Sequence, residues 1–277
     1  MKYNKLILLK KEVAPPYSIE PFVLSGYRPK MSYVNCLNSM FTVHNQTLNI
    51  WSSILLIGFN IFLVIFFTNK SPDMPFHFQL FFWTQGILRS YCWINSWSFH
   101  TFVCHSKNTA QLCLSMDYIG CYLTPFGIGT NLLFIEFYCH INYQIYFILC
   151  NAIVICLAII ISTFSIYQTE KYRQIRLLVS ITASIPSLIG LLFAIYIVHS
   201  GNTPEYYSYL LYAILFELSA GFFYVTMFPE VIYPFYFDIW MNSHSIWHWL
   251  NFGFDYMMMA LTYNAYLELK ESQRCLM

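Results

Sequence analysis

The sequence predicts an all-α fold, a seven-transmembrane helix bundle with a cytosolic N-terminus and an extracytosolic C-terminus. Of the 277 residues, 58% are hydrophobic and only 10% are charged. Soluble domains average about 25% charged residues, so this composition excludes an ordinary soluble domain. Aromatic residues make up 20% of the chain, which is typical of helices whose ends lie in the headgroup region of a bilayer. The net charge of +1 does not indicate a nucleic-acid partner.

Seven apolar segments reach the length of about 20 residues that a helix needs to cross a bilayer. Lipid offers the backbone no hydrogen bonds, so each segment should be helical, and the short loops should make neighbours pack as one bundle. The second, third and seventh segments carry polar groups, which suits helices that line a pocket. The predicted segments are 48–68, 77–103, 112–138, 145–166, 175–198, 207–228 and 244–266.

The basic residues predict the orientation. Ten of the fourteen lysines and arginines fall on the side of the N-terminus, three fall on the other side, and Arg89 lies within a segment. Basic residues accumulate in cytosolic loops, so the N-terminus should be cytosolic. The predicted organisation is a cytosolic N-terminal arm (1–45), a transmembrane domain (46–266) and a short extracytosolic tail (267–277).

With this orientation, four ionisable residues from three segments lie at one depth. His100 is about three residues from the cytosolic end of the second segment, and Asp117 is about five residues into the third. His244 and His248 occupy the first two turns of the seventh segment. At a rise of 1.5 Å per residue, all of them lie within roughly 10 Å of the inner boundary. Burying such groups in a membrane is costly, which indicates a shared task.

The spacing of these residues indicates a metal site. Ser96 and His100 are four residues apart, as are His244 and His248, so each pair lies on one helix face. Two histidines at i and i+4 commonly present two nitrogens to one metal ion. Three histidines with another polar group nearby suit a zinc ion with one open coordination position. A single histidine near a helix end is more often an interfacial or core residue, so the prediction depends on their convergence.

Three further charged residues lie within segments. Arg89 precedes His100 by eleven positions, about three helical turns, and Asp255 follows His248 by seven. Both should therefore face the bundle interior near the middle of the bilayer. We expect an ion pair between Arg89 and Asp255, with Glu217 as the alternative partner. Snorkelling or water-filled burial is the competing explanation.

The nine cysteines are an odd number, and most lie inside apolar segments. Their spacing matches neither a C-x-x-C motif nor a disulfide framework. We therefore expect free, buried thiols.

Three blocks of sequence stand out, in this order: 26–29 with 44–51, then 96–101 with 104–106 and 117–118, and finally 237–240 with 243–248. In order and content these blocks resemble progestin and adipoQ receptors. The resemblance covers about residues 20 to 266. It departs from the usual pattern at Gln46, Leu48, Ser52, Ser53 and Val231, none of which is a predicted metal ligand.

The resemblance implies a seven-helix fold with a cytosolic N-terminus and zinc held by His100, His244 and His248. It implies that Asp117 holds the metal-bound water and that Ser96 lines the site. Adiponectin receptors of this family are associated with ceramide hydrolysis, and the wider superfamily contains zinc-dependent alkaline ceramidases. Other members bind steroid ligands or anchor signalling proteins at the Golgi.

Two functions remain open from the sequence. In the first, the chain is a zinc-dependent amidohydrolase acting on ceramide or a related membrane lipid. Asp117 then accepts a proton from water and passes it to the leaving amine, and Ser96 donates a hydrogen bond to the amide carbonyl. In the second, the zinc is structural and the chain is a receptor or signalling anchor.

Other classes of membrane protein fit the sequence less well. The candidate ligand and the cellular location follow from the family resemblance. The inverted charge asymmetry argues against a conventional heptahelical receptor, and the lack of a repeated polar stripe argues against a pore. An extracellular hormone or a steroid is the candidate ligand. The plasma membrane is the expected location, ahead of the Golgi or the endoplasmic reticulum.

Overall fold

The computed structural model describes residues 8–272, so the first seven residues of the predicted arm and residues 273–277 of the predicted tail lie outside it. The regular secondary structure of the described residues is helical, apart from one isolated bridge between Leu9 and Tyr27. Its α-helices are α1 (Tyr33–Ser39), α2 (Thr47–Asn69), α3 (Phe76–Phe102), α4 (Lys107–Glu136), α5 (Ile141–Ser162), α6 (Arg173–Ile197), α7 (Tyr207–Thr226) and α8 (Ser243–Glu271).

Each predicted segment coincides with one long helix, α2 to α8, and α8 continues into the range predicted as the tail. Among the described residues, five helices are long and apolar enough to cross a membrane: α2, α4, α5, α6 and α7. Helices α3 and α8 are 27 and 29 residues long, but both bury many polar side chains. The polar interior of the bundle is therefore built mainly from these two helices.

The two ends of the bundle differ in character. We call one end of the bundle the histidine end; there α3 ends and α4, α6 and α8 begin. The opposite end is called the far end. The largest apolar core cluster lies toward the far end and includes Phe67, Phe82, Leu132 and Met259. Helix α3 packs against α2 and α4, and α8 packs against α7 and α2. Polar groups at the histidine end are consequently enclosed by helices on several sides.

The N-terminal arm folds over the histidine end. The buried guanidinium of Arg28 donates hydrogen bonds to the last carbonyls of α3, including that of Thr101 at 3.1 Å. The carboxylate of Asp238, in the loop between α7 and α8, accepts hydrogen bonds from the Leu24 amide at 3.1 Å and the Ser25 hydroxyl at 2.6 Å. The arm is thus held at two points and forms a wall over the bundle.

The start of α8 is fixed by two caps. The side chain of Asn242 accepts a hydrogen bond from the Ser245 amide at 2.9 Å, as N-cap residues do. The carboxylate of Glu230 accepts bonds from the amide of Ser243, at 2.7 Å, and from its hydroxyl. A carboxylate at a helix N-terminus also interacts favourably with the helix dipole. These contacts set the direction of the first turn, which carries His244.

The cysteines correct one prediction. Seven are free, as expected, but only Cys36, Cys92 and Cys104 are buried; Cys113, Cys121 and Cys150 are partly buried and Cys156 is exposed. Cys139, which follows α4 at the far end, is disulfide-bonded. The expectation of free thiols is wrong for this residue, because a single disulfide leaves no spacing pattern in a sequence.

Candidate metal centre

Three imidazole rings from α3 and α8 meet at the histidine end. They belong to His100, His244 and His248, whose candidate ligand atoms all lie within 4.8 Å of one another. The ring centroids are 5.0 to 5.2 Å apart. His100 and His248 are buried and His244 is half-buried. The helix spacing read from the sequence therefore brings three nitrogen donors to one point.

The orientation of the His100 ring is set by Gln46. Nδ1 of His100 lies 2.7 Å from Oε1 of Gln46. That oxygen also accepts a hydrogen bond from Nδ2 of Asn49 at 3.0 Å, while Nε2 of Gln46 donates to the carboxylate of Glu20. An amide oxygen can only accept, so Nδ1 carries the hydrogen and Nε2 of His100 keeps its lone pair. That lone pair faces the other two histidines.

Ser52 sets the orientation of His248 in the same way. The Ser52 hydroxyl lies 2.9 Å from Nδ1 of His248 and donates its own hydrogen to the Asn49 carbonyl at 3.2 Å. While it donates to Asn49 it can only accept from Nδ1, and in that arrangement the lone pair is on Nε2 of His248. This Nε2 is buried and has no hydrogen-bond partner within residues 8–272. Buried polar atoms are rarely left unpaired, so the atom requires an explanation.

A metal ion supplies that explanation. The contact of 3.1 Å between the Nε2 atoms of His100 and His244 could be a hydrogen bond between two rings. Such a bond leaves Nε2 of His248 without a partner. A metal ion accepts all three nitrogens at once, and outer groups that hold the remote ring nitrogen are usual around metal-bound histidines. The three histidines could therefore hold a metal ion.

Asp117 lies on the wall of a cavity beside this cluster. The cavity has a volume of about 390 Å³ and is lined by His100, His244 and Asp117, with residues of the arm on one side. Within the described part of the chain, the Asp117 carboxylate makes no hydrogen bond or ion pair. It is not one of the clustered ligands. Its position leaves it available to a molecule in the cavity.

Ser96 lies elsewhere. It is buried, and its hydroxyl oxygen accepts a hydrogen bond from Ser53 at 3.3 Å. Ser53 in turn lies 3.4 Å from Nδ1 of His248. Ser96 is therefore behind the histidines, toward α2, and it is not among the residues that line the cavity.

The comparison with known proteins identifies the family. The family model described as "Haemolysin-III related" matches residues 41–253. The chain belongs to this family. The match contains all five predicted site residues and, with the five helices that could cross a membrane, supports an integral membrane protein.

Three relatives of this haemolysin-III-related chain show how far the sequence similarity extends. The chain is 30% identical over 253 residues to the progestin and adipoQ receptor-like protein 1 of Caenorhabditis elegans, which covers 87% of this chain and 57% of that protein. It is 29% identical over 238 residues to the adiponectin receptor protein of Drosophila melanogaster, covering 82% and 52%. It is 30% identical over 245 residues to heptahelical transmembrane protein 1 of Arabidopsis thaliana, covering 82% and 71%.

These relatives confirm the resemblance to progestin and adipoQ receptors that the sequence motifs predicted. The chain spans a little over half the length of the first two relatives.

The sequence did not predict which residues support the histidines of this haemolysin-III-related chain. Gln46 and Ser52 were noted only as departures from the receptor motif, and no role followed from them. Gln46 lies within the family block 44–51 and Ser52 directly follows it. This position at the start of α2 was the signal in the sequence that could have indicated a role at the site. Glu20 gave no signal, because its contact depends on how the arm folds over the bundle.

Proposed function

We propose that this chain is a zinc-containing, seven-span membrane receptor that hydrolyses the amide bond of ceramide or a related membrane lipid and signals through the products. The observation that carries this proposal is the orphaned Nε2 of His248 beside His100 and His244, next to a cavity that exposes the free carboxylate of Asp117. Three nitrogen donors with an adjacent open cavity suit a catalytic zinc site. The receptor names of two relatives support the plasma membrane as its location.

Helix lengths and the disulfide support the seven-span topology. Helices α2 to α8 all have 20 or more residues, and 20 residues in a helix extend about 30 Å, the thickness of the hydrocarbon core. Cys139, which is disulfide-bonded, lies at the far end. Disulfides persist in oxidising compartments, so the far end should be extracytosolic. The charge distribution of the sequence leads to the same orientation.

The residues of the site have distinct tasks in this proposal. His100, His244 and His248 would hold the zinc, which when bound would provide Lewis-acid chemistry at the amide carbonyl. Asp117 accepts a proton from water at its carboxylate and passes it to the leaving amine. Apolar residues of the cavity, such as Phe99, contact the acyl chain of the lipid. Ser96 does not reach the cavity, and its task is to support Ser53 behind the histidines.

A receptor with structural zinc is the second candidate, since two relatives carry receptor names. The deciding experiment measures the zinc content and the ceramide turnover of detergent-purified wild type and of a His244→Ala/His248→Ala variant. One zinc per chain with metal-dependent turnover in the wild type supports the hydrolase. Zinc without turnover supports the structural-zinc receptor. A well-folded wild type that binds no zinc would overturn both.

A further inference from the structure

A chain of polar contacts leads from the N-terminal arm to the metal centre. Glu20, in the arm, accepts a hydrogen bond from Nε2 of Gln46, and Oε1 of Gln46 accepts one from Nδ1 of His100 at 2.7 Å. Glu20 also lines the cavity that holds Asp117. It lies outside residues 41–253, the part of the chain that matches the family. A residue of the arm is thus two hydrogen bonds away from a candidate metal ligand.

The direction of these contacts is fixed by chemistry. A carboxylate cannot donate a hydrogen bond, so the amide nitrogen of Gln46 must face Glu20 and its oxygen must face His100. The bond from Asn49 to the same oxygen requires the same orientation. Rotating the amide would place its oxygen against the Glu20 carboxylate and its nitrogen against Nδ1–H of His100. The network therefore has one favourable arrangement, and that arrangement presents Nε2 of His100 to the metal.

The charge of Glu20 acts through the amide. A carboxylate that accepts a hydrogen bond from Nε2 of Gln46 polarises this side-chain amide and increases the negative charge on its oxygen, Oε1. The stronger acceptor holds Nδ1–H of His100 more tightly and raises the basicity of Nε2, the nitrogen that binds metal. An amide alone would orient the ring but would give it less negative charge.

Glu20 is itself held in place. Its amide donates a hydrogen bond to the hydroxyl oxygen of Tyr27 at 3.0 Å, and that hydroxyl donates to the Val23 carbonyl at 2.9 Å. The Tyr27 side chain is buried. On the other side, the backbone N–H of Gln46 donates a hydrogen bond to Nδ1 of His44 at 3.1 Å. Both ends of the contact between Glu20 and Gln46 are therefore positioned before any metal binds.

We propose that Glu20 is a positioning residue of the metal centre, which supplies its negative charge to His100 through Gln46. This inference rests on the proposed metal site. It gives the arm a task at that site, since removal or displacement of the arm would weaken metal binding while leaving all three histidines in place. The competing explanation is that Glu20 and Gln46 merely attach the arm to the bundle.

The test exchanges the charge without changing the shape. Glu20→Gln keeps a side chain that hydrogen-bonds Gln46 but removes the carboxylate. The swapped variant Glu20→Gln/Gln46→Glu returns one carboxylate and one amide to the pair and places the carboxylate against Nδ1–H of His100. Glu12→Gln, an exposed residue of the same arm, is the matched control. Zinc affinity is measured by chelator competition, Co²⁺ binding by visible absorption, and the melting temperature on metal-free protein.

We expect Glu20→Gln to bind zinc about 10-fold more weakly, the lower end of the effect of outer groups at metal sites. The swapped variant should recover at least the wild-type affinity, and Glu12→Gln should match the wild type. Unchanged affinity in Glu20→Gln, or a loss that the swap does not recover, would overturn the inference while leaving the metal site intact. A wild type that binds neither zinc nor Co²⁺ would overturn the metal site and the inference with it.

Discussion

The guanidinium of Arg89 on α3 contacts the carboxylate of Asp255 on α8 inside the bundle, with both residues buried. The other carboxylate oxygen of Asp255 accepts a hydrogen bond from Asn60 on α2 at 2.7 Å. Arg89 also donates to the side-chain oxygen of Asn251 at 3.0 Å. The ion pair predicted from helical spacing is confirmed, and Glu217, the alternative partner, is exposed on α7. The pair joins three helices between the histidines and the apolar core.

Removing one charge of this pair should destabilise the protein. Asp255→Asn keeps a group that can accept from Asn60 but leaves Arg89 buried without a counter-charge, which costs about 3–5 kcal/mol. We expect a large fall in melting temperature in detergent, whereas Glu217→Gln should stay near the wild type. The reversal Arg89→Asp/Asp255→Arg should recover part of the stability lost in either single reversal. A double reversal as unstable as the worse single variant would count against the pair.

Asp117 separates turnover from metal binding. Asp117→Asn removes the proposed proton acceptor on the cavity wall and leaves the three histidines unchanged, so zinc content should match the wild type. General acid–base catalysis contributes typically 10²–10⁴-fold, so ceramide turnover should fall by at least about 10²-fold. Asp73→Asn, in an exposed position at the far end, is the control for removing a carboxylate. Turnover equal to the wild type in Asp117→Asn would contradict the assigned role.

Helix positions and the convergence of the three histidines could be predicted from the sequence for physical reasons. Long apolar segments are helical in lipid whatever their neighbours are, so α2 to α8 follow from composition. Residue counts along straight helices give depth, which is why His100, His244 and His248 were predicted to meet. The pair of Arg89 and Asp255 follows from the same geometry.

Other features depend on contacts that periodicity does not encode. The arm contains none of the seven predicted segments, so no helical periodicity places Glu20 against Gln46. Ser96 is one turn from His100, yet it contacts Ser53 on α2, because which neighbour a helix face meets depends on how the helices cross.

Ser52 and Ser53 form a matched pair of tests at His248. Ser52→Ala removes the acceptor at 2.9 Å from Nδ1 and should reduce zinc affinity about 10-fold, as loss of an outer hydrogen bond to a ligand does. Ser53, at 3.4 Å, is a poorer acceptor, so Ser53→Ala should have a smaller effect. Chelator competition on both purified variants measures the difference. Equal losses, or a larger loss in Ser53→Ala, would show that Ser52 does not orient the ring.

The seven-span topology can be tested with two single cysteines. Asn202, between α6 and α7, and Tyr236, between α7 and α8, are exposed positions at opposite ends of the bundle. In sealed vesicles with the cytosolic face outward, a membrane-impermeant maleimide should label Tyr236→Cys at once and Asn202→Cys only after permeabilisation. The unmodified chain reports background labelling of the native thiols. The reverse pattern would invert the orientation, and simultaneous labelling of both would contradict a crossing by α7.

His44 should make the stability of the protein sensitive to acid. Its imidazole is buried near Arg28, and burial followed by the Arg28 charge lowers the pKa of His44 from 6.5 to about 3. Nε2 of His44 contacts the Ser39 carbonyl at 3.1 Å, and Nδ1 accepts a hydrogen bond from the backbone N–H of Gln46. Both ring nitrogens are therefore occupied, and neither can take up a second proton without losing a contact.

The unfolded chain takes up this proton near pH 6.5 and the folded chain only near pH 3. Stability from His44 is therefore complete above 6.5 and is lost as the pH falls toward 3. Between pH 7 and pH 5 the resulting loss in the free energy of unfolding is about 2 kcal/mol. His44→Gln cannot take up a proton, so its melting temperature should fall less than that of the wild type over this interval, even if it starts lower at pH 7. Parallel curves for the two proteins would show that His44 does not carry the acid sensitivity.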